Sequence, residues 1–347
     1  MPVRIQETAI AWGKKQQAAI LTPNIQADFW RMPKINPSLM VAQFVKETDA
    51  AWIGKGHEFP TAVYPQSWNV TWSLQKYISS QLLAWVLAYG FGKADMSGSY
   101  TYDISPLDPV EDGIELPYFS LYEAIRPTAT PSPVLDRLAV GMVVSDFALE
   151  VKYGPALANA SLTVNCVGCG RIVSDHSHGL VLPATPTTEV LLRSAGLAFT
   201  AQTEDYVAAK KVLSLRMAWK NNPALDLGFY PGSGYQDTGD GTTGAIRGRL
   251  LVGAARELDL SFDVLLEIGS QEQTLLQSGA TGPVVFTLAS DASHAATITF
   301  PDVQYQDVQF ADEAGFVRAS VVCAPLYLSS LGNVYAQVKT DIADICQ

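Results

Sequence analysis

Cysteine and histidine are scarce in this chain, four of each, and one grouping has the residue types of a metal site. Cys166-x-x-Cys169 is followed by His176 and His178. Two thiolates and two imidazoles form the donor set of tetrahedral zinc. A second explanation competes with it. Leu162, Val164 and Cys166 occupy every second position, and Cys323 ends a similar run, so a small buried apolar side chain on a strand accounts for both cysteines. That explanation is preferred, and no metal or cofactor is expected; Cys166, Cys169, His176 and His178 are kept as the alternative metal set. Redox chemistry through the Cys-x-x-Cys lacks the βαβ setting it would need.

Two further motifs match by letter only. Gly239-Asp240-Gly241-Thr242-Thr243-Gly244 spells GxGxxG, but a dinucleotide fingerprint must leave a buried strand and open a helix. Here the preceding residues are polar, and alternation resumes afterwards, so a glycine-rich loop is expected. Asp237-Thr238-Gly239 spells the aspartic protease triplet, whose chemistry needs two carboxylates sharing a proton. No second such triplet exists in the chain, and the histidines stand near no nucleophile motif. No catalytic residue is assigned, and the protein is expected not to be an enzyme.

The elements that carry these residues can be read from composition and periodicity. With 347 residues the chain is long enough for two modest cores. It is 48% hydrophobic and only 16% charged, with mean hydropathy +0.12. Surplus apolar surface implies contact with other protein. The net charge of −11 argues against gripping nucleic acid, which takes a basic face, yet suits a wall past which DNA slides. Residues 1–20 show no basic segment followed by an apolar one, so no signal peptide is expected. The longest apolar run, residues 82–91, is about half a membrane span. Synthesis in the cytoplasm and no membrane contact are therefore expected.

Period-2 alternation dominates the chain and recurs. Trp68, Val70, Trp72 and Leu74 alternate with polar residues, as do Leu258, Leu260, Phe262 and Val264, 190 positions on. A short helical patch opening with Ser-Gln comes after each, at Ser80-Gln81 and Ser270-Gln271, and ends near Gly90 and Gly279. Further along, Val151, Tyr153 and Cys166 align with Val308, Phe310 and Cys323 at an offset of 157, each set in a hairpin pattern. The shorter offset assigns extra residues to the first copy, placed in a long loop at about 105–133. The strand opening at Phe29 is matched with the one at Lys211. Two tandem units result, 1–190 and 191–347.

This organisation resembles the tail tube (major tail) proteins of long-tailed bacteriophages. The resemblance rests on the alternating strand at residues 68–74 with its helix at 80–89, on residues 142–151 with a partner strand at 160–169, and on residues 221–264 of the second half. It covers nearly the whole chain, as a pattern and not as a sharp motif. It implies a mainly β fold: two tandem tail-tube-like β-barrel or sandwich units, each with a short flanking α-helix. It also implies a virion structural protein whose rings stack into the conduit for DNA ejection. A unit carried twice per chain predicts homotrimeric, pseudo-hexameric rings, with a homohexamer as the alternative. The implied partners are further copies of the chain and the tail tip, tape measure and terminator proteins; DNA passes through the lumen without specific binding. Some members carry an added immunoglobulin-like domain, for which no segment is left here. Asp259 and Asp263, alternating with Leu258, Leu260, Phe262 and Val264, are candidates for the bore; a solvated outer face has the same pattern. Arms at 45–60 and 230–244, with Lys55, His57, Tyr235 and Asp237, are candidates for ring stacking. The other reading of the same pattern is a β-rich tail-tip module that binds carbohydrate or a receptor.

Overall fold

The computed structural model describes residues 8–31, 39–48, 63–98, 100–108, 110–125, 135–152, 160–174, 179–183, 187–202, 204–208, 211–231, 234–237, 243–253, 256–267, 270–328 and 332–347. Lys55, His57, His176 and His178 lie outside them.

The chain is mainly β. The first half runs β1 (Thr8–Gly13), β2 (Phe29–Arg31), β3 (Val41–Thr48), β4 (Val63–Tyr77) and α1 (Ser80–Phe91). It continues through β5 (Gly92–Gly98), β6 (Thr101–Pro106), β7 (Phe119–Ile125), β8 (Leu135–Lys152), β9 (Ser161–Gly168) and β10 (Ile172–Ser174). The second half runs β11 (Arg193–Ala201), β12 (Glu204–Asp205), β13 (Val212–Lys220), β14 (Tyr235–Asp237), β15 (Thr243–Ala245) and β16 (Glu257–Leu265). After α2 (Glu272–Ser278) come β17 (Thr281–Asp291), β18 (His294–Glu313), β19 (Phe316–Pro325) and β20 (Tyr335–Lys339).

The same ladder of antiparallel pairings occurs twice. In the first half, β2 pairs β1, β1 pairs β7, β7 pairs β8, β8 pairs β10 and β9, β9 pairs β4, and β4 pairs β3. In the second, β12 pairs β11, β11 pairs β17, β17 pairs β18, β18 pairs β20 and β19, β19 pairs β16, and β16 pairs β13. Even the irregularity repeats. The β8–β9 register shifts between Val144 and Asp146, and the β18–β19 register shifts between Tyr305 and Asp307.

Two barrels do not stand apart, however. All the strands join one open sheet system, and β8 of the first half pairs β13 of the second. The result is an eight-stranded antiparallel run, β3-β4-β9-β8-β13-β16-β19-β18. Its alternation gives it two faces. Val70, Trp72, Leu74, Leu162, Val164, Phe147, Leu149, Met217, Leu260, Phe262 and Val321 are buried on one side. The main core cluster draws on both halves.

The α1 helix packs against β8, β5, β6, β18 and β20. It is apolar all round, and every residue from Ser80 to Phe91 is buried, as such a helix must be. Ser79, not Ser80, caps it, accepting a hydrogen bond from the Leu82 amide at 3.1 Å. It ends just beyond Gly90, at Gly92, whose φ of 100° is the left-handed stop that glycine supplies. In the second half, α2 begins after Gln271 without a side-chain cap and stops at Gly279.

The pairings correct several alignments made on spacing. Trp72 and Leu260 both face the equivalent cysteines Cys166 and Cys323, so β4 and β16 are related by 188 positions, not 190. On β8 and β18 the shared bulge sets Asp146 against Asp307, an offset of 161; the offset of 157 holds only for β9 and β19. The first-half counterpart of β13 is β3, and Phe29–Arg31 is instead the short β2 beside β1. The expected loop at 105–133 contains β7, whose residues 119–124 are all buried. The extra residues of the first half are the β5–β6 hairpin and the connection from β6 to β7. That hairpin joins the second half through β6 and β20.

Candidate functional site

The second face of the eight-stranded run is polar. Thr71, Ser73 and Gln75 of β4 stand beside Thr163 and Asn165 of β9, which stand beside Asp146, Ala148 and Glu150 of β8. Across the seam come Ser214, Arg216 and Ala218 of β13, then Asp259, Ser261 and Asp263 of β16. Ser320 and Val322 of β19 and Asp307 and Gln309 of β18 complete it. On this face the carboxylates Asp146, Glu150, Glu257, Asp259, Asp263, Asp307 and Glu313 outnumber the cations Lys152, Arg216, Lys220 and Arg318. Three of these cations are in ion pairs: Lys220 with Glu257 at 2.5 Å, Lys152 with Glu150 at 2.8 Å and Arg318 with Glu313 at 3.2 Å.

Asp259 and Asp263 both belong to this face, and their settings differ. Asp259 is exposed. Asp263 accepts hydrogen bonds from the Ser214 hydroxyl at 2.7 Å and the Ser320 hydroxyl at 2.5 Å, one from each neighbouring strand. Asp146 is tied in the same way, by Asn165 Nδ2 at 2.6 Å and Ser145 Oγ at 3.0 Å.

The two segments read as arms leave from one place. β3 and β4 form a long hairpin whose connecting residues, 49–62, lie outside those described. β14 and β15 form a second hairpin, with Tyr235 opposite Ala245 and Asp237 opposite Thr243. Ala245 pairs in parallel with Ser67 of β4, so the two hairpin roots are adjacent. Arg247 fastens them. Its guanidinium donates to Asn69 Oδ1 at 2.7 Å, to the Leu225 carbonyl at 3.0 Å and to the Gly168 carbonyl at 3.3 Å, and lies 4.7 Å from the Phe229 ring centroid. Burial lowers its pKa, and the carbonyls solvate the cation. The start of β3 is held by a buried pair: Arg137 Nε donates to Glu123 at 2.5 Å, Glu123 accepts from the Met40 amide at 3.0 Å, and Arg137 donates to the Met40 carbonyl.

The metal and nucleotide motifs fare differently from the acidic residues. Cys166 belongs to the main core, whereas Cys169 belongs to a separate cluster with Val143 and Val167 and donates to the Val140 carbonyl at 3.0 Å. The two thiols therefore do not share a site. Burial pushes the Cys166 thiol well up, Cys169 to about 11 and Cys323 to about 12, which holds all three as neutral thiols at neutral pH. The described residues contain no group of three or more potential metal ligands. Gly244 itself lies in strand β15, and among the described residues no helix opens after it as a dinucleotide fingerprint requires. The Asp237 backbone lies in β14.

The eight-stranded run ends in two strand edges. Among the described residues, β3 pairs only with β4, and the stretch of β18 from Tyr305 to Glu313 pairs only with β19. Spacing alone did not reveal these edges, because an edge is a property of the pairing order and not of any one strand's pattern.

No family model and no curated protein matches the chain. No helix among the described residues is long and apolar enough to cross a membrane.

Proposed function

We propose that this chain is a structural subunit of a phage tail tube, built from two tandem tail-tube-like β units spanning about 1–190 and 191–347. In this reading three chains make a pseudo-hexameric ring, rings stack, and DNA passes through the bore without specific binding. It needs no cofactor and no catalytic residue.

One observation carries the reading. An eight-stranded sheet is assembled from two equivalent four-stranded halves, polar and acid-rich on one face, apolar on the other, and open at both ends. Continued through further copies, such a sheet curves into a cylinder whose polar face lines a channel. Carboxylates on that face repel phosphate and leave no counterion-release gain to hold DNA. The adjacent hairpin roots, with Tyr235 and Asp237 on one and the segment of Lys55 and His57 joining the strands of the other, supply a stacking contact on one side of the ring. Assembly joins the tube to tail tip, tape measure and terminator proteins in the virion. A receptor-binding tip module places its exposed aromatics in a cluster on one face; here exposed Phe310 and Phe316 flank a strand edge and hairpin turn, where they suit pairing, while Tyr327 and Tyr335 line a separate cleft with Trp219.

Negative-stain electron microscopy of concentrated protein tests the proposal. Stacked hollow rings or tubes are expected. Uniform particles that never stack, even with tail tip and terminator proteins added, contradict it.

A further inference from the structure

The seam between the halves is a template for the contact between chains. Along it, Lys220 to Ser214 of β13 run opposite Asp146 to Lys152 of β8, with Ala218 facing Ala148. The repeated pairings identify the counterparts of both strands. Val41 faces Thr71 and Ala218 faces Asp259, each one residue before the partner of an equivalent cysteine, so Val41 on β3 stands where Ala218 stands on β13. Ala148 faces Thr163 and Gln309 faces Ser320, each three residues before those cysteines, so Gln309 stands where Ala148 stands. These two counterparts lie on the two free edges.

Resting on the tube reading, we propose that β3 of one copy pairs antiparallel with the Tyr305 to Glu313 stretch of β18 in the next, with Val41 opposite Gln309, Ala42 opposite Val308 and Gln43 opposite Asp307. The partner is a second copy of this chain, because the seam already joins these two kinds of edge within one molecule.

Exposure supports it independently. Leu149 is 0% exposed at the seam, while its counterpart Phe310 is 48% exposed. Ala218 is 7% exposed, and its counterpart Val41 is 49% exposed. Apolar residues stand in water on these edges where the internal edges are covered, and an uncovered edge of this kind is a site of strand addition. Gln43 against Asp307 replaces Lys220 against Asp146, an amide-to-carboxylate pair in place of an ionic one.

The test is a Val41→Cys/Gln309→Cys double variant, assembled and mildly oxidised, then run on a non-reducing denaturing gel. Covalent dimers and trimers are expected, with none from either single variant, since the native cysteines are buried. Both positions are exposed, so the fold tolerates the change, and the melting temperature checks this. Tubes that form without this cross-link, or that cross-link instead through Val41→Cys/Ala311→Cys, overturn the proposed register while leaving the tube reading intact. A wild-type chain that forms no ring or tube overturns that reading, and this pairing with it.

Discussion

Asp263 between Ser214 and Ser320 and exposed Asp259 show how the polar face holds its charge: one carboxylate is fixed by neighbouring hydroxyls, the other is left to solvent. Neither supports the core, so Asp259→Lys/Asp263→Lys should alter stability only modestly for exposed Asp259, with the cost concentrated at Asp263, where two hydroxyls lose their acceptor. Tubes of this variant should retain duplex DNA in a gel-shift experiment, released by salt, whereas wild-type tubes should not; equal behaviour would remove these residues from the bore. The buried cysteines make a second residue-scale prediction. A thiol whose pKa is raised by folding stabilises the folded state fully below the unfolded value of about 8.5, and that contribution is lost as pH rises toward the folded value. For Cys169, at about 11 when folded, stability should fall from near pH 8.5 to pH 11, by up to about 3 kcal/mol. Denaturant unfolding across that range measures the loss. At pH 7 the four thiols should resist alkylation until the chain unfolds; rapid labelling of native protein would contradict their burial.

At the scale of elements, the seam is sealed by the end of α1. The Phe91 ring lies 5.7 Å from Phe147 and 4.9 Å from Trp219, centroid to centroid, and those two residues face each other across the β8–β13 pairing. Asn221 closes the gap, donating to the Gly90 carbonyl at 2.7 Å and the Val144 carbonyl at 3.1 Å and accepting from Trp219 Nε1 at 3.0 Å. Phe91→Ala should cost about 3–5 kcal/mol, the range for emptying a buried aromatic site, measured by denaturant unfolding. A loss below about 1 kcal/mol would mean that strand pairing alone holds the halves together. Much of this layer was legible in the sequence, because β4, β9 and β16 each have one buried and one polar face and so alternate. The parts that were not legible have a physical cause. Strand β7 is buried through residues 119–124 and leaves no alternation to read. Alternation is also blind to shifts of two or four, so the offsets of 190 and 157 kept the phase while missing the true register on two strand pairs. Bulges and cysteine positions fix that register, and they become visible only when strands are paired. The acidic face was legible at Asp259 and Asp263; its extension across eight strands was not, since it depends on which strands become neighbours.

At the scale of the molecule, the repeated ladder of pairings is what the proposed ring draws its stoichiometry from. Each half supplies four strands to one sheet, the internal seam satisfies one pair of edges, and among the described residues a second pair remains open. In the proposed tube, the chain closes with cyclic symmetry through a heterologous contact, and six equivalent units then require three chains. The exposed apolar edges account for a composition richer in hydrophobic residues than an isolated chain needs. Native mass spectrometry of rings released from assembled protein tests this most directly. Three chains of 37.4 kDa, about 112 kDa, is the predicted closed species. A closed ring of six chains, or a monomer at every concentration, would contradict the three-chain ring.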